Sequence, residues 1–146
     1  MSLREQITTT LVTRLSEIDD PLIAFATREP IDVEKLAITQ FPSVLVTFAV
    51  ETRETVTMGT QGVGRRMGEL EFDLRGFVRG AELDRKRNDL IEAIEEQLEL
   101  DRYLGLKDSG VLDSQITEIE VINRLAPLAE IRMRLVVRYN YMRGAT

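Results

Sequence analysis

At 146 residues, with 43% apolar and 30% charged side chains, the chain has the size and make-up of one globular domain built on one core. It contains no Cys and no His, which excludes disulfides, thiolate metal sites and thiol nucleophiles and removes the commonest general base and transition-metal ligand. A net charge of −6 weighs against general nucleic-acid binding, which needs concentrated Lys and Arg.

The chain opens on Ser2-Leu-Arg-Glu5, a capping-box pattern in which Ser2 and Glu5 are expected to satisfy early backbone donors reciprocally. Leu3, Ile7, Leu11, Leu15 and Ile18 then recur at steps of four and three, so a first helix is predicted over 3–18, ended by Asp19-Asp20-Pro21. This start has no basic region followed by an apolar stretch, and no run in the sequence approaches the roughly 20 apolar residues of a membrane span. The chain is therefore expected to stay in the cytoplasm where it is made, unless an assembly carries it out.

A short apolar run predicts a strand over 22–27. Residues 31–42 read as a connector with one helical turn around Val33 to Leu36. "SVLVTFAVET" follows, rich in Val, Thr and Phe, and reads as a largely buried strand. Its mate is "MGELEFDLRGFVRG", where Leu70, Phe72 and Leu74 alternate with Glu69, Glu71, Asp73 and Arg75. Between the two lies a Gly-containing arm or loop over 53–66, too long for a tight turn and too polar for core. It carries Arg65 and Arg66 but lacks the ending of a P-loop, so contact with a neighbour is the better reading than a phosphate cradle.

A second helix is predicted over 81–103. Leu83, Leu90, Ile91, Ile94 and Leu98 form its apolar stripe, and Gly105 is the stop signal. Glu92, Glu95, Glu96 and Glu99 share the opposite side, where a solvated acidic face is the expected role rather than metal ligation. Two strands close the chain: "SQITEIEVIN", and the longest one, "EIRMRLVVRYNYMR". In the latter, Ile131, Met133, Leu135, Val137, Tyr139 and Tyr141 fall on one face and Arg132, Arg134 and Arg138 on the other. Those arginines either pair across strands with Glu69, Glu71, Asp73, Glu118 or Glu120, or line an interface or lumen.

Charge is spread unevenly. Glu82 to Arg102 holds eight acidic and four basic residues, and Arg124 to Thr146 holds five Arg and one Glu. These are either two solvated faces or complementary patches joining copies of the chain head to tail. The element order predicts an α+β fold over 1–146: a mainly antiparallel sheet of about five strands with two main helices packed on one face.

The succession of "GELEFDLRGFVRG", "ELDRKRNDLIEAIEEQLELDRYLG", "SQITEIEVI" and "AEIRMRLVVRYNY", preceded by a helix, a strand and "FPSVLV", resembles the tail terminator proteins of long-tailed phages. The resemblance implies a structural, non-enzymatic virion protein at the tail-neck junction, with no cofactor. It implies a hexameric ring of this chain that caps the tail tube, stops its polymerisation and presents a docking surface to neck or head-tail connector proteins. In contractile particles it implies contact with the sheath protein as well. DNA would pass through the lumen without sequence-specific contacts, and no membrane is involved. A neck or head-completion ring protein is the runner-up, and a small-molecule-binding or enzymatic α+β domain is the rival from another class.

Overall fold

A computed structural model describes residues 2–55 and 65–142. The first helix, α1, spans Leu3–Ser16. Ser2 caps it by accepting a hydrogen bond from the Glu5 N–H at 3.1 Å. The other half of the predicted capping box is not made. The Glu5 carboxylate is held by both terminal guanidinium nitrogens of Arg28 and by Thr9, so tertiary pairing has overridden the local reciprocal bond. Ile7, Leu11 and Leu15 are fully buried, and Ile18 is buried just past the helix end.

Strand β1 is only Phe25–Thr27, shorter than the predicted 22–27, and it runs parallel to β2, Ser43–Thr55. The parallel pairing is possible because residues 28–42 cross over before the chain re-enters the sheet. Strands β3 (Arg65–Arg79), β4 (Val111–Ile122) and β5 (Leu128–Met142) complete a mixed, mostly antiparallel sheet ordered β1-β2-β3-β5-β4. Helix α2, Leu83–Glu99, lies with α1 on one face of it, as the α+β reading requires.

The core sits between these layers. Leu90, Ile94 and Leu98 of α2 meet alternate residues of β3 and β5, among them Leu70, Phe72, Leu74, Ile131, Met133 and Leu135. Close approach of helix to sheet depends on Gly76, where a Cβ would fall 2.7 Å from a Leu90 methyl and 2.9 Å from Ile131. Helix α2 stops four residues before the predicted Tyr103. The Asp101 carboxylate accepts hydrogen bonds from the N–H groups of Tyr103 (2.9 Å) and Gly105 (2.8 Å), which turns the chain away. The two helices are tied by the Gln97 side-chain amide, which donates to the Arg14 carbonyl at 2.8 Å.

The connector has a defined place. Two short 3₁₀ turns, Val33–Lys35 and Ile38–Gln40, carry Val33 onto the sheet face opposite the helices, where it packs with buried Leu45 and Phe77. Ile31, Phe41 and Leu128 flank this small second cluster.

Strand β2 departs from the largely buried reading. Its first half is buried at Ser43 to Val46, but Thr47, Phe48, Ala49 and Val50 are exposed. The register slips at Ala49, a bulge, so that Phe48 faces Phe72, Val50 faces Glu71 and Glu51 faces Leu70. The slip moves Glu51 onto the helix-side face.

Candidate assembly surfaces

Three surfaces carry the residues singled out from the sequence. The first is the sheet face opposite the helices. Strand β5 runs between β3 and β4, and both neighbours place carboxylates directly across from its arginines: Glu69 faces Arg138, Asp73 faces Arg134 and Glu120 faces Arg132. Each guanidinium donates to its partner: Arg138 to Glu69 at 3.0 Å, Arg132 to Glu120 at 2.8 Å, and Arg134 to Asp73 at 2.8 Å and Glu71 at 3.1 Å. All three predicted arginines thus belong to a cross-strand ladder.

At one end of that ladder is a cluster the sequence reading missed. Glu130 is only 2% exposed and accepts from Arg75 at 2.8 Å and Arg124 at 2.6 Å. Both guanidinium groups also lie over the Phe77 ring, 5.3 and 5.5 Å from its centre. Burial pushes the Glu130 carboxyl up, but the hydrogen bonds and charges of Arg75 and Arg124 outweigh it and hold the group below its ordinary 4.5.

The second surface is at the base of the β2–β3 hairpin. Strands β2 and β3 take in both ends of the predicted arm over 53–66. The ladder continues to the Thr55–Arg66 pair, and Arg65 and Arg66 open β3 opposite Met142 and Tyr141. Residues 56–64 and the side chains of Arg65 and Arg66 lie outside the described residues. On the helix side the Tyr139 hydroxyl donates to Glu51 at 2.5 Å, and Arg4 and Arg53 donate to the same carboxylate at 2.9 and 2.5 Å. The Tyr139 ring reaches Glu51 across Gly68, where a Cβ would stand 2.4 Å from it. Burial first, and then the Glu51 hydrogen bond, pushes the Tyr139 phenol up to about 12. Burial also pushes Glu51 up, but the bonds from Tyr139, Arg53 and Arg4 leave it lowered. The register, which the bulge sets, turns Glu51 toward Tyr139, and α1 brings Arg4 to the same carboxylate.

The third surface is a groove of about 590 Å³ between α2 and β4, the last strand of the sheet. Leu98, Ile116 and Leu135 contribute its apolar part, and Glu95 and Glu99 stand on the helix side. Ile119, which also lines it, is 45% exposed. Arg102 and Asp113 approach to 3.8 Å at one end. Of the four predicted helix carboxylates, Glu92, Glu96 and Glu99 are exposed and Glu95 is half-buried. Among the described residues none of the four is in an ion pair, nor does any group of three or more potential ligands stand close enough to hold a metal ion. No described helix is long and apolar enough to cross a membrane.

No protein-family model matches the chain, and no curated protein matches it either. Among solved structures, a chain from the virion of a native gene transfer agent particle is similar to it, with a TM-score of 0.50 at 8% identity. The likeness covers 96% of this chain and 100% of that one. At this identity it is the fold that the two share.

Proposed function

We propose that this chain is a structural component of a phage-like particle, and that its place there is the ring capping the tail tube. One observation carries the reading. The fold is shared from end to end with a chain of a gene transfer agent virion, with almost nothing left over on either side. The element order that resembles phage tail terminators points to the same class of protein from an independent direction. An exposed acidic face on α2 and apolar side chains left in solvent at Leu100, Leu112 and Ile119 are surface features suited to burial against other subunits. No bond-breaking step is needed for this role: the work is to stop the addition of tube subunits and to offer a face to the neck.

The test is electron microscopy of the purified protein mixed with the polymerising tube protein from the same source. Tubes of fixed length with an extra ring at one end are expected. Tubes that keep growing and carry no ring would overturn the terminator role, and a ring bound only to neck proteins would transfer the chain to the head side of the junction.

A further inference from the structure

We infer that copies of the chain join edge to edge: the outer edge of β4 in one copy pairs with the outer edge of β2, beyond β1, in the next, so that the sheet runs on from subunit to subunit. The inference rests on the ring reading above and adds which surfaces meet. Two different edges of one subunit make a heterologous contact, the kind that closes into rings.

Both edges are open. Strand β4 is the last in the sheet, and β1 covers β2 only from Ser43 to Leu45. Among the described residues no strand pairs with β2 on that side from Val46 onward. Residues 47–50 of β2 and 117–119 of β4 are all exposed, whichever face they occupy. An open edge presents a row of backbone N–H and C=O groups that another strand can pair with. Direction also agrees. The steps from β2 to β3, β3 to β5 and β5 to β4 are all antiparallel, so β4 runs against β2. A sheet that keeps its helices on one side therefore continues from β4 to the next β2 by the same antiparallel step.

The bulges select the register. A bulged edge resists a regular partner strand. Here both edges carry an extra residue, Ala49 on β2 and Thr117 on β4. When Phe48 faces Ile119, the extra residues fall at the same level: Ala49 and Val50 lie against Glu118 and Thr117, and Glu51 faces Ile116. Both strands change their alternation together, so no slip remains over 46–52 against 115–121. The other bulge of β4, at Leu112, lies outside that stretch. Beyond Val46 the pairing must stop, because Leu45 already faces Thr27 of β1, and β4 itself ends at Ile122. On the helix side this register joins exposed Phe48 to exposed Ile119, an aromatic and β-branched pair of the kind that stabilises sheets. It also brings Arg4 of the next copy, which lies over Phe48 and bonds Glu51, beside the groove where Glu95 and Glu99 stand with Ile116 and Ile119. Opposite charges thus meet across the seam.

The absence of cysteine permits a direct test in the full chain. Facing residues of an antiparallel pair stand roughly 4.5–5.5 Å apart at Cα, within disulfide reach. Copies carrying Thr47→Cys are mixed with copies carrying Glu120→Cys, and copies carrying Phe48→Cys with copies carrying Ile119→Cys, each with the tube protein present, and oxidised. At least one of these adjacent pairs is expected to cross-link, as read by mass spectrometry of the linked peptides. Thr52→Cys with Glu120→Cys, which is out of register, should not. In parallel, Ile119→Lys should raise the concentration for half-assembly about tenfold or more, since a lysine on an edge strand opposes pairing. Unchanged circular dichroism serves as the folding control. Rings on tubes with neither in-register bond, an out-of-register bond formed as readily, or assembly of Ile119→Lys at the wild-type concentration overturns the inference and leaves the ring reading standing. Wild-type protein that forms no rings on tubes overturns both.

Discussion

The Arg132–Arg138 stretch of β5 and the Glu92–Glu99 stretch of α2 are the two most strongly charged elements in the second half of the chain, and the fold treats them oppositely. Strand β5 has a strand on each side, and both neighbours set carboxylates across from its arginines. Its charge is consumed inside the subunit. Helix α2 packs one side on the sheet and turns the other outward, and its four glutamates meet no cation among the described residues. Charge on an interior strand is readily matched by its own sheet, whereas charge on the outer face of a helix stays available to a partner. Patches of equal charge density in a sequence are therefore unequal candidates for an interface.

The largest effect that would sharpen this contrast is expected at Glu130. It is nearly inaccessible and holds Arg75 and Arg124 together over Phe77. Glu130→Ala leaves two guanidinium groups without their shared anion and should cost about 3 kcal/mol, at the lower end for a broken buried pair because both arginines keep some contact with water. Urea unfolding measures it. The sign with pH also follows. The folded-state carboxyl lies below its ordinary 4.5, so its contribution is complete above the unfolded value and is lost as pH falls through the folded one. Glu130→Gln should flatten that acid limb. A cost no larger than that of Glu96→Ala would erase the distinction between the two regions.

The sequence made the layers legible and left the clusters hidden, for physical reasons. Periodicity reports which face of an element is apolar, so α1, α2 and the inward residues of β3 and β5 could be read directly. Alternation also placed Arg132, Arg134 and Arg138 on one face with the correct class of partner. Which partner, however, depends on strand order, and β5 inserts between β3 and β4 by long-range pairing that leaves no local trace. Glu51 shows the limit most clearly. Its position in a Val-rich run suggests one face, and a single bulge at Ala49 gives it the other. The short parallel β1 and the connector that covers Phe77 were likewise set by tertiary packing rather than by local pattern.

A middle-sized effect is expected at Tyr139, the point where the arginine strand reaches the helix-side face. Tyr139→Phe removes one of the donors to Glu51 but leaves Arg4 and Arg53 in place, so the loss should be about 1 kcal/mol. The phenol's folded value of about 12 lies above its ordinary 10.0, so its contribution is complete below the unfolded value and disappears as pH rises through the folded one. Ultraviolet titration of the phenolates should show a late-ionising Tyr in the wild type that the variant has lost. Identical late limbs in the wild type and the variant would break the proposed link between Tyr139 and Glu51.

The smallest effects are the most informative for the comparison itself. Arg134 bonds Asp73 and Glu71 from a partly exposed position, and cross-strand pairs of this kind contribute only about 0.2–1 kcal/mol. A double-mutant cycle of Arg134→Ala with Asp73→Ala should return a coupling in that range, shrinking as salt is added. Glu92→Ala and Glu96→Ala should each stay within about 0.5 kcal/mol, because neither has an ion-pair partner among the described residues. Measured on rings instead of free subunits, the order should invert at the groove. Substitution of Glu95 and Glu99 should weaken assembly while Arg134→Ala leaves it nearly unchanged. A coupling near zero for Arg134 together with a large assembly defect would instead make the arginine strand the subunit contact.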